Sequence, residues 1–198
     1  VKLDAMENPY GFPERLVPAW LAQLQKAEIH RYPDPNATAL KASLVKQLDL
    51  PDQHVVSVGN GSDELIHMLC LAFNNPGAKL MAPAPSFAVY SLAAAAVGMQ
   101  FVDFPLRRED FAIDVAEMLK AIEQHNPALI FIASPNNPTA NRFADEDIRL
   151  ICEHSRGLVV LDEAYWRFAG EHRIHALADI SNIVFMHTLS TVSYTHLR

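Results

Sequence analysis

The chain has no long apolar run, no cluster of basic residues and no cysteine pair at a ligand spacing, and each absence excludes something. No hydrophobic stretch reaches the ~18 residues of a membrane-spanning helix, and no basic segment followed by an apolar one opens the sequence as a secretory leader would. A cytoplasmic, reducing setting is therefore expected. Lys and Arg number 16 against 23 Asp and Glu, for a formal net charge of −7 and a pI near 5.7. Nucleic-acid binders gather cations on one face, whereas Arg107-Arg108 runs at once into Glu109-Asp110 and reads as a solvated turn. Cys70 and Cys152 sit inside apolar helical patterns without a CxxC or Cys/His spacing, and are expected to be reduced core residues. The dinucleotide GxGxxG and the P-loop GxxxxGK[ST] are both missing, so neither nucleotide class is supported. Internal repeats and low-complexity stretches are missing too.

What is present is a soluble composition, 50% apolar and 20% charged over 198 residues, enough for one sizeable core. Short apolar runs alternate with helical patterns, which argues for an α/β fold with a mostly parallel sheet. The strands are expected at Val55 to Val58, Lys79 to Ala82, Gln100 to Phe104, Leu129 to Ala133, Leu158 to Leu161 and Ile183 to Met186. Val115, Met118, Leu119 and Ile122 fall at i, i+3, i+4 and i+7 behind Asp114 as N-cap, with Glu117 three residues on. Ile148, Ile151 and Cys152 repeat the pattern after Asp145. The stretch from Asp63 to Phe73 is apolar almost all round and predicts a helix packed on several sides. The first 36 residues hold five of the 13 prolines and only one helical stretch, Glu14 to Ala27. The expected division is an N-terminal arm over 1–36, a large domain over 37–190, and a tail over 191–198. Val1 is not an initiator Met, and residues 192–198 continue no earlier pattern, so both ends are kept out of the fold reading.

Turn-forming polar clusters follow the carboxyl ends of five of these strands: Gly59 to Asp63, Ala84 to Phe87, Ser134 to Pro138, Asp162 to Tyr165, and Thr188 to Ser190. Open α/β sheets bind ligands outside those ends. Ser62 and Asp63 begin a helix directly after a Gly-x-Gly turn, which offers an anion site through free N–H groups and the helix dipole; Ser62 as a simple cap is the rival reading. Asp162 ends an apolar strand, and a buried charge needs a partner that no neighbouring Lys or Arg supplies. A cationic cofactor atom would serve, and so would protonation, local hydrogen bonds or a metal. Ser134-Pro135-Asn136-Asn137-Pro138 fixes two amides between prolines, as structural turns also do.

Together these motifs resemble the fold-type I pyridoxal-phosphate (PLP) transferases, and among them the histidinol-phosphate aminotransferase family. Leu3 to Gly11 is similar to that family's LDxNENPYG, with Met6 for Asn. Arg31 to Pro35 matches RYPDP, Gly59 to Glu64 GNGSDE, Asp162 to Tyr165 DEAY, and Ser134 to Thr139 the SPNNPTG string, with Ala140 for its last Gly. The resemblance implies a PLP-binding large domain, incomplete here, with helices on both faces of the sheet, preceded by the arm and part of a small domain.

The resemblance also assigns roles. Asp162 would pair with the pyridine nitrogen, Asn137 and Tyr165 would bond the phenolic oxygen, and Phe87 would stack on the ring. N–H groups of Ser62 and Asp63 with the Ser190 hydroxyl would hold the phosphate. Tyr32 would reach the phosphate of a neighbouring subunit, implying a homodimer, and Tyr10 would lie near the substrate. The implied activity is exchange of an amino group between L-glutamate and imidazole-acetol phosphate, a phosphorylated keto acceptor. The alternatives are an aromatic amino-acid aminotransferase of the same branch, or a non-catalytic PLP- or phosphate-binding fragment. Where the family reads TLSK, this sequence has Thr191, so the Schiff-base lysine is absent, and truncation at that point is the expected reason. Nucleic acid and membrane are not expected as partners.

Overall fold

The computed structural model describes residues 11–189. The chain divides into two compact units, Gly59–Thr188 and the remainder. In the first unit a 3-10 turn, Glu14–Leu16, runs into α1, Val17–Leu24, with Pro18 in the first helical turn, where its missing N–H goes unmissed. Helix α2, Thr38–Gln47, follows a turn organised by Asp34, whose carboxylate accepts from Asn36 N at 2.9 Å and Thr38 N at 2.8 Å. Those bonds hold the Asp34 carboxyl below its ordinary range. Neither helix buries a residue. The sheet-bearing unit starts at Gly59. The strand expected at Val55 to Val58 does not form. It has the β-branched composition of a strand but no ladder partner, and Val55 is left 92% exposed.

The second unit begins with α3, Ser62–Phe73, and then alternates: β1 Lys79–Ala84, α4 Val89–Ala96, β2 Gln100–Pro105, α5 Val115–His125, β3 Leu129–Ala133, α6 Asp145–His154, β4 Leu158–Asp162, a short α7 Trp166–Ala169, and β5 Ile183–Met186. The sheet is parallel throughout, in the order β2-β1-β3-β4-β5. Parallel strands are covered on both faces and so read as continuous apolar runs; every residue of β3 is buried. The two-residue period of the strands sorts these side chains between two cores. Leu80, Leu129, Phe131 and Val160 face α3 and α4, among Ile66, Cys70, Tyr90 and Ala93. Met81, Ile130, Ile132, Val159 and Leu161 face α5 and α6, among Met118, Ile122, Ile148 and Ile151. Cys70 and Cys152 are free and buried, one in each core, as expected.

Asp114 caps α5 as read from sequence, its side chain accepting from Glu117 N at 3.2 Å. Helix α3 departs from expectation. It buries only Ile66 and Cys70, while Met68 is 56% and Leu71 63% exposed, because it packs beside α4 on one face of the sheet and turns its other side outward.

The strand order creates a switch point. From β1 the chain moves outward to β2 on one side, then returns past β1 to lay down β3, β4 and β5 on the other. Ladder pairing between β1 and β3 covers only Leu80 with Leu129 and Met81 with Ile130, whereas β1–β2 runs over six pairs and β3–β4 over five. The β1–β3 ladder thus stops at Met81 and Ile130, and such a gap at a switch point is where doubly wound sheets take their ligands.

Candidate active site

The site is built on that gap. Asp162 is the last residue of β4 and is 4% exposed. Its Oδ2 accepts from the Tyr90 hydroxyl at 2.7 Å and its Oδ1 from Ala164 N at 3.0 Å. Burial pushes its carboxyl up to about 6 against the opposing pull of these bonds and of His187. Local hydrogen bonding, one of the rival readings from sequence, is thus part of what holds Asp162, though it does not offset desolvation. Among the described residues no group of three or more His, Cys, Asp and Glu is disposed to hold a metal ion.

Tyr90 was not singled out from the sequence, and it is central. It lies buried in α4, stacked on Phe131 at 4.7 Å between ring centres and edge-on to the half-buried Phe87 at 5.6 Å. Burial, then the adjacent Asp162 charge, raises its phenol well above the ordinary value; Tyr165 and Asp63 act in the same direction. Five groups therefore share one neighbourhood: Asp63 at the start of α3, Phe87 and Tyr90 from the β1–α4 segment, and Asp162 and Tyr165 from the end of β4. The available sequence clue was indirect: a buried acid requires a donor, and α4 carries one tyrosine in an otherwise small apolar helix.

The two adjacent amides do different work. Asn136 is 3% exposed and ties the β1 and β3 loops across the gap, its Nδ2 donating to Pro85 O at 3.0 Å and Thr139 Oγ1 at 2.6 Å while its Oδ1 accepts from Ser86 Oγ at 2.8 Å. Asn137 instead reaches the Tyr165 phenol, opposing the rise that burial imposes on that group. Three X–Pro bonds around the gap are cis, Ala84-Pro85, Ser134-Pro135 and Asn137-Pro138.

At the start of α3, Gly61 is the N-cap with φ +83°, a conformation that favours glycine, and it has no side-chain cap. Ser62 is the first helical residue and not the cap. The Asn60 N–H is taken by Glu64 Oε2 at 2.6 Å. Tyr32 lies in the first unit, fully exposed in irregular chain. Tyr10, Ser190 and Thr191 lie outside the described residues.

The residues present suit PLP chemically. A buried carboxylate whose charge is unfavourable would be stabilised by a protonated pyridine nitrogen, an amide and a phenol meet nearby for an oxyanion, and an uncapped helix start suits a phosphate. Fold and crevice together define an open α/β domain of the aminotransferase type. The chain belongs to the family of class I and II aminotransferases, whose sequence pattern matches residues 1–193. It is 46% identical over 198 residues to histidinol-phosphate aminotransferase 2 of Nitrosococcus oceani, covering all of this chain and 55% of that one. It is 48% identical over 162 residues to histidinol-phosphate aminotransferase of Thiocapsa roseopersicina, covering 82% of this chain and 86% of that one. In structure it is similar to the Sinorhizobium meliloti histidinol-phosphate aminotransferase in complex with pyridoxal-5'-phosphate, with TM-score 0.82 and 22% identity over 96% of this chain and 52% of that one. The corresponding Clostridium acetobutylicum enzyme gives 0.81 and 23%, covering 94% and 55%. The chain thus spans about half the length of the Nitrosococcus relative and of both solved structures.

Proposed function

We propose that this chain is part of a PLP-dependent histidinol-phosphate aminotransferase, whose full-length form is a cytoplasmic homodimer that exchanges an amino group between L-glutamate and imidazole-acetol phosphate to give L-histidinol phosphate. The observation that carries this reading is Asp162, buried at the carboxyl end of β4 with its carboxyl pushed up to about 6. Its relatives' names support the substrate. Bound PLP would supply an electron sink for the substrate α-carbon. Asp162 would keep the proton on the pyridine nitrogen, helped by Tyr90, which fixes the carboxylate rotamer. Asn137 and Tyr165 would bond the ring oxygen, and Phe87 would cover one ring face. Backbone N–H groups of Ser62 and Asp63, with the Ser190 hydroxyl, would receive the phosphate, and Tyr32 would serve the partner's phosphate. Tyr10 would contact substrate.

Thr191 has no amine to bond the cofactor or to shuttle a proton, so this chain is proposed to bind PLP noncovalently and to transfer no amino group. Equilibrium dialysis with PLP, followed by borohydride reduction and peptide mapping, tests the reading. Saturable binding abolished by Asp162→Ala, with no labelled crevice lysine, is the expected result. Absence of saturable binding would remove the cofactor assignment.

A further inference from the structure

Arg173 is 3% exposed and carries no role in the reading above. Its guanidinium faces three oxygens. Nη1 donates to Ser134 Oγ at 3.0 Å, Nη2 donates to Phe143 O at 2.6 Å, and Nε lies 2.8 Å from Asp145 Oδ1. Its backbone N–H donates to Glu163 Oε1 at 2.9 Å. Glu163, 1% exposed, sends its other oxygen to His187 Nε2 at 2.8 Å.

These partners are not scattered. Ser134 and Phe143 are the two ends of the loop after β3, and Phe143 N also donates to Ser134 Oγ at 3.1 Å. The guanidinium closes that loop at its base, and the loop contains Asn137. Glu163 stands between Asp162 and Tyr165 at the end of β4, so the Arg173 backbone is fastened to the other half of the crevice. Ser134 N donates to Asp162 O at 2.8 Å, which sets the level at which the two loops leave the sheet.

We propose that Arg173 is a positioning residue: one planar fork that fixes the β3 loop against the β4 loop, and thereby the place where Asn137 meets Tyr165. A buried ion pair is a weak source of net stability. A guanidinium that donates from two nitrogens to two fixed oxygens, beside a carboxylate, is an effective means of fixing geometry. The functional side of this inference rests on the proposed cofactor site; the register itself does not.

The test uses the whole chain. Arg173→Lys keeps a charge beside Asp145 but lacks the planar fork that reaches Ser134 Oγ and Phe143 O from two separate nitrogens; Ser134→Ala removes one acceptor and guards against a variant that fails to fold. Asn137→Ala serves as the reference for a broken Asn137–Tyr165 contact. Three quantities are read: thermal unfolding, the Tyr165 phenol titration with the Asn137 side-chain amide shift by NMR, and PLP affinity by dialysis. Both variants are expected to move the Asn137 amide resonance, to raise the Tyr165 titration toward that of Asn137→Ala, and to weaken PLP binding about tenfold, as for one lost hydrogen bond. A lower unfolding temperature with unchanged Asn137 and Tyr165 signals would overturn the proposal and leave Arg173 a structural residue. If wild-type chain takes up no PLP, the cofactor assignment fails, and the NMR comparison, which needs no cofactor, still decides for or against Arg173.

Discussion

The Tyr90 hydroxyl and the Asp162 carboxylate, 72 residues apart in sequence, are joined by a buried 2.7 Å hydrogen bond at the end of β4. Tyr90 comes from the helix after β1 and Asp162 from a strand two places across the sheet, so the bond spans the switch point. Removing the hydroxyl by Tyr90→Phe leaves the stacked ring on Phe131 but strands a carboxylate oxygen. Stability at pH 8 is expected to fall by about 1–3 kcal/mol, and the Asp162 carboxyl to rise further above 6, since the Tyr90 bond now holds it down. Urea unfolding and a carbon-13 carboxyl titration measure both.

The pH dependence follows from the same group. An acid with a folded-state pKa of about 6, against 3.8 for the unfolded chain, binds more protons when folded between those values. Its contribution is therefore fully present below pH 3.8 and is lost as pH rises through about 6. The loss amounts to about 3 kcal/mol for a shift of roughly two units. Stability curves of wild type and Asp162→Asn should differ in slope over this window and run parallel above pH 7. Parallel curves throughout would mean that Asp162 is not the buried acid responsible.

Asn136 and Asn137 should separate cleanly on substitution. Asn136→Ala removes two side-chain bonds that tie the β1 and β3 loops and a third within the β3 loop, and is expected to destabilise the chain by about 2–4 kcal/mol. Asn137→Ala should change stability by less than about 1 kcal/mol while raising the Tyr165 phenol titration. Denaturant midpoints and tyrosine titration together check the pair, and equal stability losses would contradict the division of labour.

Two glycines make opposite demands. At Gly61 an added Cβ meets nothing within 4 Å, but φ +83° with ψ 168° is a conformation essentially reserved to glycine, so Gly61→Ala should cost the backbone strain of about 1–3 kcal/mol. At Gly157, just before β4, a Cβ would lie 2.3 Å from Pro127 O and 2.6 Å from Ala128 O, both backbone. Gly157→Ala must displace β3 or β4, and is expected to yield little folded protein or to cost more than about 4 kcal/mol. Unfolding midpoints of the two variants give the comparison.

Five of the six strands expected from the sequence form, and within a residue or two of the expected limits, because a strand buried on both faces needs a continuous apolar run that few other elements use. The cap at Asp114, the helices after Asp114 and Asp145, and the free buried cysteines follow from equally local chemistry. The run Val55 to Val58 carries the same local signal and forms no strand, since pairing needs a neighbour that composition does not specify. Helix α3 shows the complementary case: its apolar surface was visible, but what packs against it depends on which side of the sheet it occupies.

The motifs placed Asp162, Asn137 and Tyr165 near a common crevice because turns after parallel strands all emerge at one end of the sheet. Only the tertiary structure chose Tyr90 as the donor to Asp162, gave Asn136 the bridging role and Asn137 the approach to Tyr165, and set Arg173 beneath both loops. Periodicity along the chain reports which face of an element is buried. Contacts between residues 30 to 70 positions apart are decided by strand order, and the order β2-β1-β3-β4-β5 brings the end of β1 beside the end of β3 through a packing of all five strands at once.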